Sequence, residues 1–142
     1  MNQYQCILVP VDASPASIRA VRQGAMLAQV FQSKLIILQV APLVSVVARL
    51  ERQDPEQVSP AGEKRESQLA SYYSCYIPSG VEPEYLSLDG TPGPEILRVA
   101  TDRGCDLIVM GNHGLSRLKE ILIGSVCLHV VQHSHCPVLV VK

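Results

Sequence analysis

Short apolar runs alternate with amphipathic stretches along the whole chain. Pro83 in the third run predicts an edge strand, because proline cannot donate a hydrogen bond to a neighbouring strand. The second run is apolar nearly throughout, as expected of a strand that is covered on both faces. The five runs, of which the first is rich in β-branched residues, predict strands over residues 4–11, 34–41, 81–88, 106–110 and 137–141.

Helical periodicity fills the intervals between the predicted strands. Ser14 is a suitable N-cap with Pro15 at the first helical position, and apolar residues follow at spacings of three and four. Thr91 and Pro92 begin a similar helix, which Gly104 ends. These signals predict one helix after the first strand and another after the third.

Two further helices are predicted, one over residues 63–76 and one that begins at Gly124. Between residues 42 and 62 the pattern is weaker, with a short helix over 44–53 and a loop over 54–62 as the best interpretation. Strands separated by helices of these lengths require right-handed crossovers, which produce a parallel sheet with helices on both faces. The predicted fold is therefore α/β, in a single domain over residues 1–142.

Composition excludes several classes of function. Apolar residues make up 47 % of the chain and charged residues 18 %, which is globular composition. A net charge of -1 provides no basic field for nucleic-acid binding. No stretch approaches the roughly 20 apolar residues of a membrane span, and no basic cluster suits a membrane surface. The N-terminus lacks the pattern of a signal peptide, so the expected location is the cytoplasm.

Cysteine and histidine residues offer candidate chemistry of a different kind. The five cysteines form no C-x-x-C pair and are odd in number, which predicts buried apolar residues and no disulfide framework. His129 and His133 are spaced as a zinc-binding pair, but no matching ligand pair occurs elsewhere in the chain. Histidines in a last helical turn are also explained by a favourable interaction with the helix dipole.

The polar residues that follow the strands point to a ligand site. In an open parallel sheet, ligands bind at the carboxyl ends of the strands. The first strand ends in Pro10, Val11, Asp12, Ala13 and Ser14, and the fourth ends in Met110, Gly111, Asn112, His113 and Gly114. A site for a polar ligand is therefore expected where these two ends meet.

Glycines mark the expected site. Gly111 and Gly114 let the backbone approach a ligand closely. Gly124 interrupts a helical pattern, and because glycine inside a helix costs about 1 kcal/mol relative to alanine, we interpret it as a helix start. The free N–H groups of Gly124, Ser125 and Val126 would then form an anion site. Such glycines also occur simply in turns, but their place between a strand and a helix favours the anion site.

Other nucleotide motifs are missing from the sequence. There is no G-x-x-x-x-G-K-[ST] segment, and no G-x-G-x-x-G segment follows the first strand. The spacing that is present runs Gly111-Asn112-His113-Gly114, nine residues, then Gly124-Ser125. With this spacing, the opening segment 10–14 and the closing segment 136–141, the chain resembles the nucleotide-binding branch of the universal stress protein family. Residues 42–62 and the pair Gly93-Pro94 depart from the family pattern.

The resemblance implies a fold, a ligand and a set of contacts. It implies a Rossmann-like sheet of the adenine nucleotide alpha hydrolase type, with strand order 3-2-1-4-5, and ATP or AMP lying across strands one and four. Asp12 and the main chain around Val40 would meet the adenosine, and the glycine segments would hold the phosphates. The implied nucleotide-binding residues are Pro10, Val11, Asp12, Ser14, Val40, Met110, Gly111, Asn112, His113, Gly114, Gly124, Ser125 and Val126.

Several alternatives remain open at the level of sequence. Asp12 either accepts a ribose hydroxyl or helps to hold Mg²⁺ or Mn²⁺ between phosphates, and His113 lies either in solvent or against phosphate. The resemblance implies a homodimer, for which the apolar last strand, Val138–Val141, is the predicted interface. The expected function is nucleotide-dependent stress signalling towards an unknown protein partner. A slow ATPase and a dimer without nucleotide are the alternatives, although no general base or arginine finger is evident.

Overall fold

Five strands and four helices make up the part of the chain that the structure describes. A computed structural model describes residues 3–43, 47, 63–114 and 123–142. The strands are β1 (Cys6–Val11), β2 (Lys34–Ala41), β3 (Glu84–Asp89), β4 (Leu107–Gly111) and β5 (Val138–Val141). The helices are α1 (Pro15–Phe31), α2 (Glu63–Tyr73), α3 (Pro92–Asp102) and α4 (Ser125–His133), and a 3-10 turn (Ser74–Tyr76) follows α2.

The strands form one parallel sheet of order β3-β2-β1-β4-β5. This confirms the predicted fold, and it confirms that the third strand lies at an edge. The chain moves outward from β1 to β3 and then returns to place β4 on the other side of β1. Crossovers on the two sides of β1 therefore leave in opposite directions, which opens a crevice at the carboxyl ends of β1 and β4.

Two apolar layers cover the sheet, because successive side chains of a strand point to opposite faces. On one face, Val21 of α1 and Tyr73 of α2 pack with Ile37 of β2. On the other, Ile96 of α3 and Val130 of α4 belong to a separate buried cluster. All six residues of β1 are buried, as expected of the central strand.

The sequence signals for helix ends hold at most positions. The Ser14 hydroxyl accepts a hydrogen bond from the Ser17 N–H at 3.1 Å, and Pro15 begins α1. Gly104 follows α3 with φ 64°, a conformation that glycine adopts readily. Thr91 occupies the N-cap position of α3, but its side chain makes no capping hydrogen bond.

Predicted boundaries differ from the observed ones by a few residues. The helix predicted over 63–76 ends at Tyr73, where the chain tightens into the 3-10 turn. Pro83 lies just before β3, and Asp106 lies just before β4. The carboxylate of Asp106 instead accepts hydrogen bonds from backbone N–H groups at the start of β1, including that of Cys6 at 3.0 Å.

The helix and the loop predicted between residues 44 and 62 fall almost entirely on residues that the structure does not describe. The segment interpreted as a helix over 44–53 and a loop over 54–62 lies, apart from Val47, outside the described residues. Among the helices that are described, none is long and apolar enough to cross a membrane.

Candidate functional site

A cleft of about 740 Å³ lies at the carboxyl ends of β1, β2 and β4. All of the residues proposed from sequence for the ligand site line this cleft: Pro10, Val11, Asp12, Ser14, Val40, Met110, Gly111, Asn112, His113, Gly114, Gly124, Ser125 and Val126. The cleft also contains residues that sequence reasoning missed, namely Ser17, Leu38, Gln39, Pro42, Pro92, Ile96 and Cys127. The structure therefore brings the predicted positions together and adds a largely apolar set.

The corner between β1 and α1 presents a carboxylate to the cleft. The Ser14 N–H donates to Oδ1 of Asp12 at 3.0 Å, which ties the half-buried side chain to its own turn. Between these two residues, Ala13 takes the left-handed conformation with φ 66°. The corner is held in a conformation that an alanine adopts only at a cost in free energy.

The end of β4 is a place of very close backbone approach. A Cβ atom on Gly111 would lie 2.8 Å from Cβ of Ala16 and 2.9 Å from its carbonyl carbon. A Cβ atom on Gly114 would overlap Oδ2 of Asp12. Gly111 is therefore required by packing against the first turn of α1, whereas a side chain at position 114 would require the Asp12 carboxylate to move.

The two glycine-marked segments meet directly. The Gly124 N–H donates to the carbonyl oxygen of Asn112 at 2.6 Å. Gly124 is the N-cap of α4, which confirms the predicted helix start. Its N–H is not one of the free donors, however, because closing the loop onto Asn112 occupies it; that part of the prediction was wrong.

The first turn of α4 supplies backbone donors at the cleft. The first intrahelical hydrogen bond of α4 runs from the Leu128 N–H to the Gly124 carbonyl at 2.9 Å. The N–H groups of Ser125, Val126 and Cys127 precede it, so no acceptor inside the helix is available to them. Because these residues line the cleft, the positive end of the helix dipole lies at this end of the site.

Apolar side chains form one wall of the cleft. Leu38, Ile96, Met110 and Cys127 are buried members of the cluster between the sheet and the α3–α4 layer, and Val40 packs against that cluster. Burial raises the pKa of the Cys127 thiol, which keeps this wall uncharged. The site thus combines an uncharged wall with a rim of backbone donors and one carboxylate.

The end of β2 adds a backbone acceptor. Backbone groups of successive residues in a parallel strand point alternately to the two neighbouring strands. The carbonyl of Ala41 accepts from the Gly90 N–H on the β3 side at 2.9 Å, so the carbonyl of Val40 points towards β1. The last register pair of β1 with β2 is Val11–Gln39. The Val40 carbonyl therefore extends past the paired part of β1, at the cleft.

The two histidines of α4, His129 and His133, are not among the described residues that line the cleft. The rings of His129 and His133 have centroids 4.5 Å apart, and the Nδ1–H of His133 donates to the His129 carbonyl. Among the described residues, no group of three or more His, Cys, Asp or Glu residues is placed to hold a metal ion. The His129 ring lies against Gly93, where an added Cβ would approach its Cδ2 to 2.6 Å. The unusual glycine in α3 is thus explained by the close approach of α3 and α4.

Comparison with known proteins places the chain among its relatives. A model of the universal stress protein family matches residues 3–142. Universal stress protein MJ0531 of Methanocaldococcus jannaschii is 32 % identical over 142 residues, which cover 99 % of this chain and 84 % of that protein.

Solved structures resemble the chain over nearly its whole length. The structure of MJ0577 from the same archaeon has a TM-score of 0.76 and 30 % identity, covering 98 % of this chain and 96 % of that one. The crystal structure of a universal stress protein in complex with cAMP has a TM-score of 0.67 and 27 % identity, covering 98 % and 97 % of the two chains.

Proposed function

The chain belongs to the universal stress protein family, and on that premise we propose that it binds an adenine nucleotide, ATP or AMP, in the cleft at the ends of β1, β2 and β4. The observation that carries the proposal is the meeting of Gly111–Gly114 with the first turn of α4 at one rim of that cleft. A related structure of this family was solved with cAMP, which contains the same base.

The adenine ring is proposed to lie on the apolar side. Leu38 and Ile96 offer flat apolar surface from the sheet and from α3. The Val40 carbonyl is directed to the same region. Its oxygen is suited to accept a hydrogen bond from the exocyclic amino group of adenine. A guanine ring carries a carbonyl at the corresponding position, so the Val40 carbonyl would disfavour it.

The phosphates are proposed to lie at the glycine rim. The N–H groups of Ser125, Val126 and Cys127 and the dipole of α4 favour a negative group there. The Ser125 hydroxyl is exposed and adds a donor to the same place. His113 stands beside Gly114 in the lining, and we assign it to the phosphate side rather than to solvent.

Asp12 supplies the carboxylate of the site among the described lining residues. One of its oxygens accepts from the Ser14 N–H, and the side chain is half-buried. A single carboxylate beside phosphates is a typical Mg²⁺ arrangement, in which the phosphates and water complete the coordination. Asp12 therefore fits a role in holding Mg²⁺ or Mn²⁺ against the phosphates, and also a role as acceptor for a ribose hydroxyl.

We favour binding over efficient hydrolysis. Transfer of a phosphoryl group requires positive charge near the transferred oxygens and a group that orients water. No general base or arginine finger is evident from the sequence. A slow ATPase is the second candidate, and turnover of ATP measured beside a Ser125→Val control tests it.

We also propose a homodimer through β5. This strand pairs with β4 alone within the described sheet, and Leu139 at its centre is 37 % exposed. An open apolar edge invites pairing with a second copy of the chain. Light scattering of the native protein and of Leu139→Lys tests this: a dimer that becomes a monomer supports the interface, and an unchanged mass contradicts it.

The nucleotide experiment uses purified full-length protein. Denaturation followed by chromatography of the released small molecules should yield an adenine nucleotide in near-stoichiometric amount. Added ATP or AMP should raise the melting temperature, since a ligand at 100 times its Kd stabilises the native state by about 2.7 kcal/mol. GTP serves as the matched control for the base, and EDTA tests the role of the metal. No released nucleotide together with no stabilisation by ATP or AMP would overturn the proposal.

A signalling role and a cytoplasmic location stay predictions. Both are expectations that follow from family membership. In such a signalling role, nucleotide bound in the cleft of a dimeric domain would alter the surface that a protein partner contacts.

A further inference from the structure

The hydroxyl group of Tyr73 reaches the candidate site from a distant helix. Tyr73 is the last residue of α2 and is 1 % exposed. Its hydroxyl oxygen accepts the Ala13 N–H at 2.9 Å and lies 3.3 Å from Oγ of Ser17. Ala13 directly follows Asp12 at the ligand cleft. A side chain sixty residues away along the sequence thus contacts the backbone of the β1–α1 corner.

The hydrogen bonds around Tyr73 form a chain with one consistent direction. The Ser17 hydroxyl donates to the carbonyl of Ser14 at 2.9 Å, so Oγ of Ser17 is left to accept from the Tyr73 hydroxyl. The chain therefore runs from the Ala13 N–H through Tyr73 and Ser17 to the Ser14 carbonyl. Hydrogen bonds arranged in this way strengthen one another. Burial raises the pKa of Tyr73, so the hydroxyl keeps the proton that it donates.

The anchored residue is the strained one. Ala13 has φ 66°, which an L-residue with a Cβ atom adopts only at a cost in free energy. Such a conformation persists where the surroundings impose it. The hydrogen bond that the Ala13 N–H donates to the Tyr73 hydroxyl oxygen is one such constraint, and the bond that the Ser14 N–H donates to Asp12 is another.

We propose that Tyr73 is a positioning residue of the ligand site, whose hydroxyl holds the Asp12–Ser14 corner in the conformation that binds nucleotide. The inference rests on the proposed function for the identity of the ligand. Apolar packing by the ring alone would leave no role for the hydroxyl, and phenylalanine would fill the same volume. The role of the hydroxyl is therefore separable from the role of the ring.

Tyr73→Phe in the full-length protein is the test, with Tyr72→Phe as the matched control on an exposed neighbour. Two quantities are measured: amide hydrogen exchange without ligand, and the Kd for ATP and AMP. In Tyr73→Phe, the Ala13 and Ser14 amides should exchange faster while amides within α2 keep their protection. The Kd should rise on the order of fivefold, the loss expected for one hydrogen bond. Tyr72→Phe should change neither quantity.

Rescue separates positioning from a general structural effect. Glycine adopts positive φ without the cost that alanine has. In an Ala13→Gly background the effect of Tyr73→Phe on the Kd should therefore shrink. An equal effect in both backgrounds would overturn the positioning role, as would unchanged exchange at Ala13.

Two further outcomes are distinguishable. If the wild-type protein binds no nucleotide, the proposed function fails, while the exchange of the Ala13 amide still decides whether Tyr73 holds the corner. If Tyr73→Phe does not fold, hydrogen exchange of the wild-type protein carries the test. An Ala13 amide that exchanges there as fast as an unprotected amide would overturn the inference.

Discussion

Gly114 lies so close to Asp12 that a Cβ atom at position 114 would overlap Oδ2 of the carboxylate. Gly114→Ala should therefore displace the Asp12 side chain from the cleft. We expect the Kd for ATP to rise about tenfold, which corresponds to about 1.4 kcal/mol. Isothermal titration calorimetry measures it. Gly104→Ala is the control, because it adds a Cβ at φ 64° outside the cleft lining and should lower stability alone. Equal Kd values for Gly114→Ala and the wild type would contradict a role of this contact.

Gly111 makes a different contact, since its neighbour is backbone as well as side chain. The carbonyl carbon of Ala16 lies 2.9 Å from the position of an added Cβ. Relief of this clash requires the backbone of the first turn of α1 to shift. Gly111→Ala should therefore destabilise the fold itself, by about 2 kcal/mol for an overpacked core. Urea unfolding measures the loss. A stability equal to that of the wild type would show that α1 and β4 separate at little cost.

Gly93 and His129 form a pair that tests the contact of α3 with α4. Gly93→Ala brings a Cβ to 2.6 Å from Cδ2 of His129, so the ring or the helix must move. We expect a loss of about 1–2 kcal/mol from this overpacking. In a His129→Ala background the same substitution should cost much less. The four proteins of this double-mutant cycle are compared by urea unfolding, and additive losses would exclude the contact.

Glu84 makes stability depend on acid pH. Partial burial would raise the pKa of Glu84, but hydrogen bonds and charge from Lys34 and Arg103 outweigh it and hold the pKa below its usual value. A carboxyl with a lowered folded pKa stabilises the fold above its unfolded pKa, about 4.3, and this contribution disappears as the pH falls through the folded pKa. Because the carboxyl is about one-third exposed, solvent screening limits the contribution to at most about 1 kcal/mol.

Glu84→Gln should therefore be less stable than the wild type at pH 7, and the difference in stability should be smaller at pH 3. Urea unfolding at the two pH values measures the difference. Glu82→Gln, on an exposed residue two positions earlier, is the control and should match the wild type at both. A difference that is as large at pH 3 as at pH 7 would assign the effect to packing rather than to charge.

The cysteines should differ sharply in reactivity. Cys75 is exposed, whereas Cys105 and Cys127 are buried. The hydrogen bond with Cys6, together with burial, raises the pKa of Cys105, and burial raises that of Cys127. With an aromatic disulfide reagent at pH 8, the native protein should show a fast phase that Cys75→Ser abolishes. Cys105 and Cys127 should react after denaturation. Fast labelling of Cys105 in the native protein would contradict its burial.

Local chemistry explains why much of the site was predictable. Ser14 with Pro15 marks a helix start in any protein, and Gly124 marks another because glycine is disfavoured within helices. Gly111 and Gly114 signal close backbone approach by the lack of a side chain. Each of these signals depends on a few neighbouring residues, so it is readable from the sequence. The cleft is lined by Ser14 and by the three glycines.

The missed residues carry no such local signal. Leu38 and Ile96 look like ordinary core residues, and only the sheet order brings them to the cleft beside the end of β1. Tyr73 resembles any apolar position of a helical stripe, and its contact with Ala13 spans sixty residues. The Gly124 N–H was expected to be free because its acceptor, the Asn112 carbonyl, lies in another segment.

From the sequence alone it was possible to predict the alternation of strands and helices, the main helix starts and the places where backbone can approach a ligand. Periodicity, capping and glycine content are properties of neighbouring residues, and they act before the chain is folded. Tertiary structure decided which backbone donors remain available, which apolar side chains form the wall of the cleft, and which distant hydroxyl holds Ala13 in its strained conformation. Those outcomes depend on contacts between segments that are far apart in the chain, and such contacts exist only once the sheet has assembled around β1.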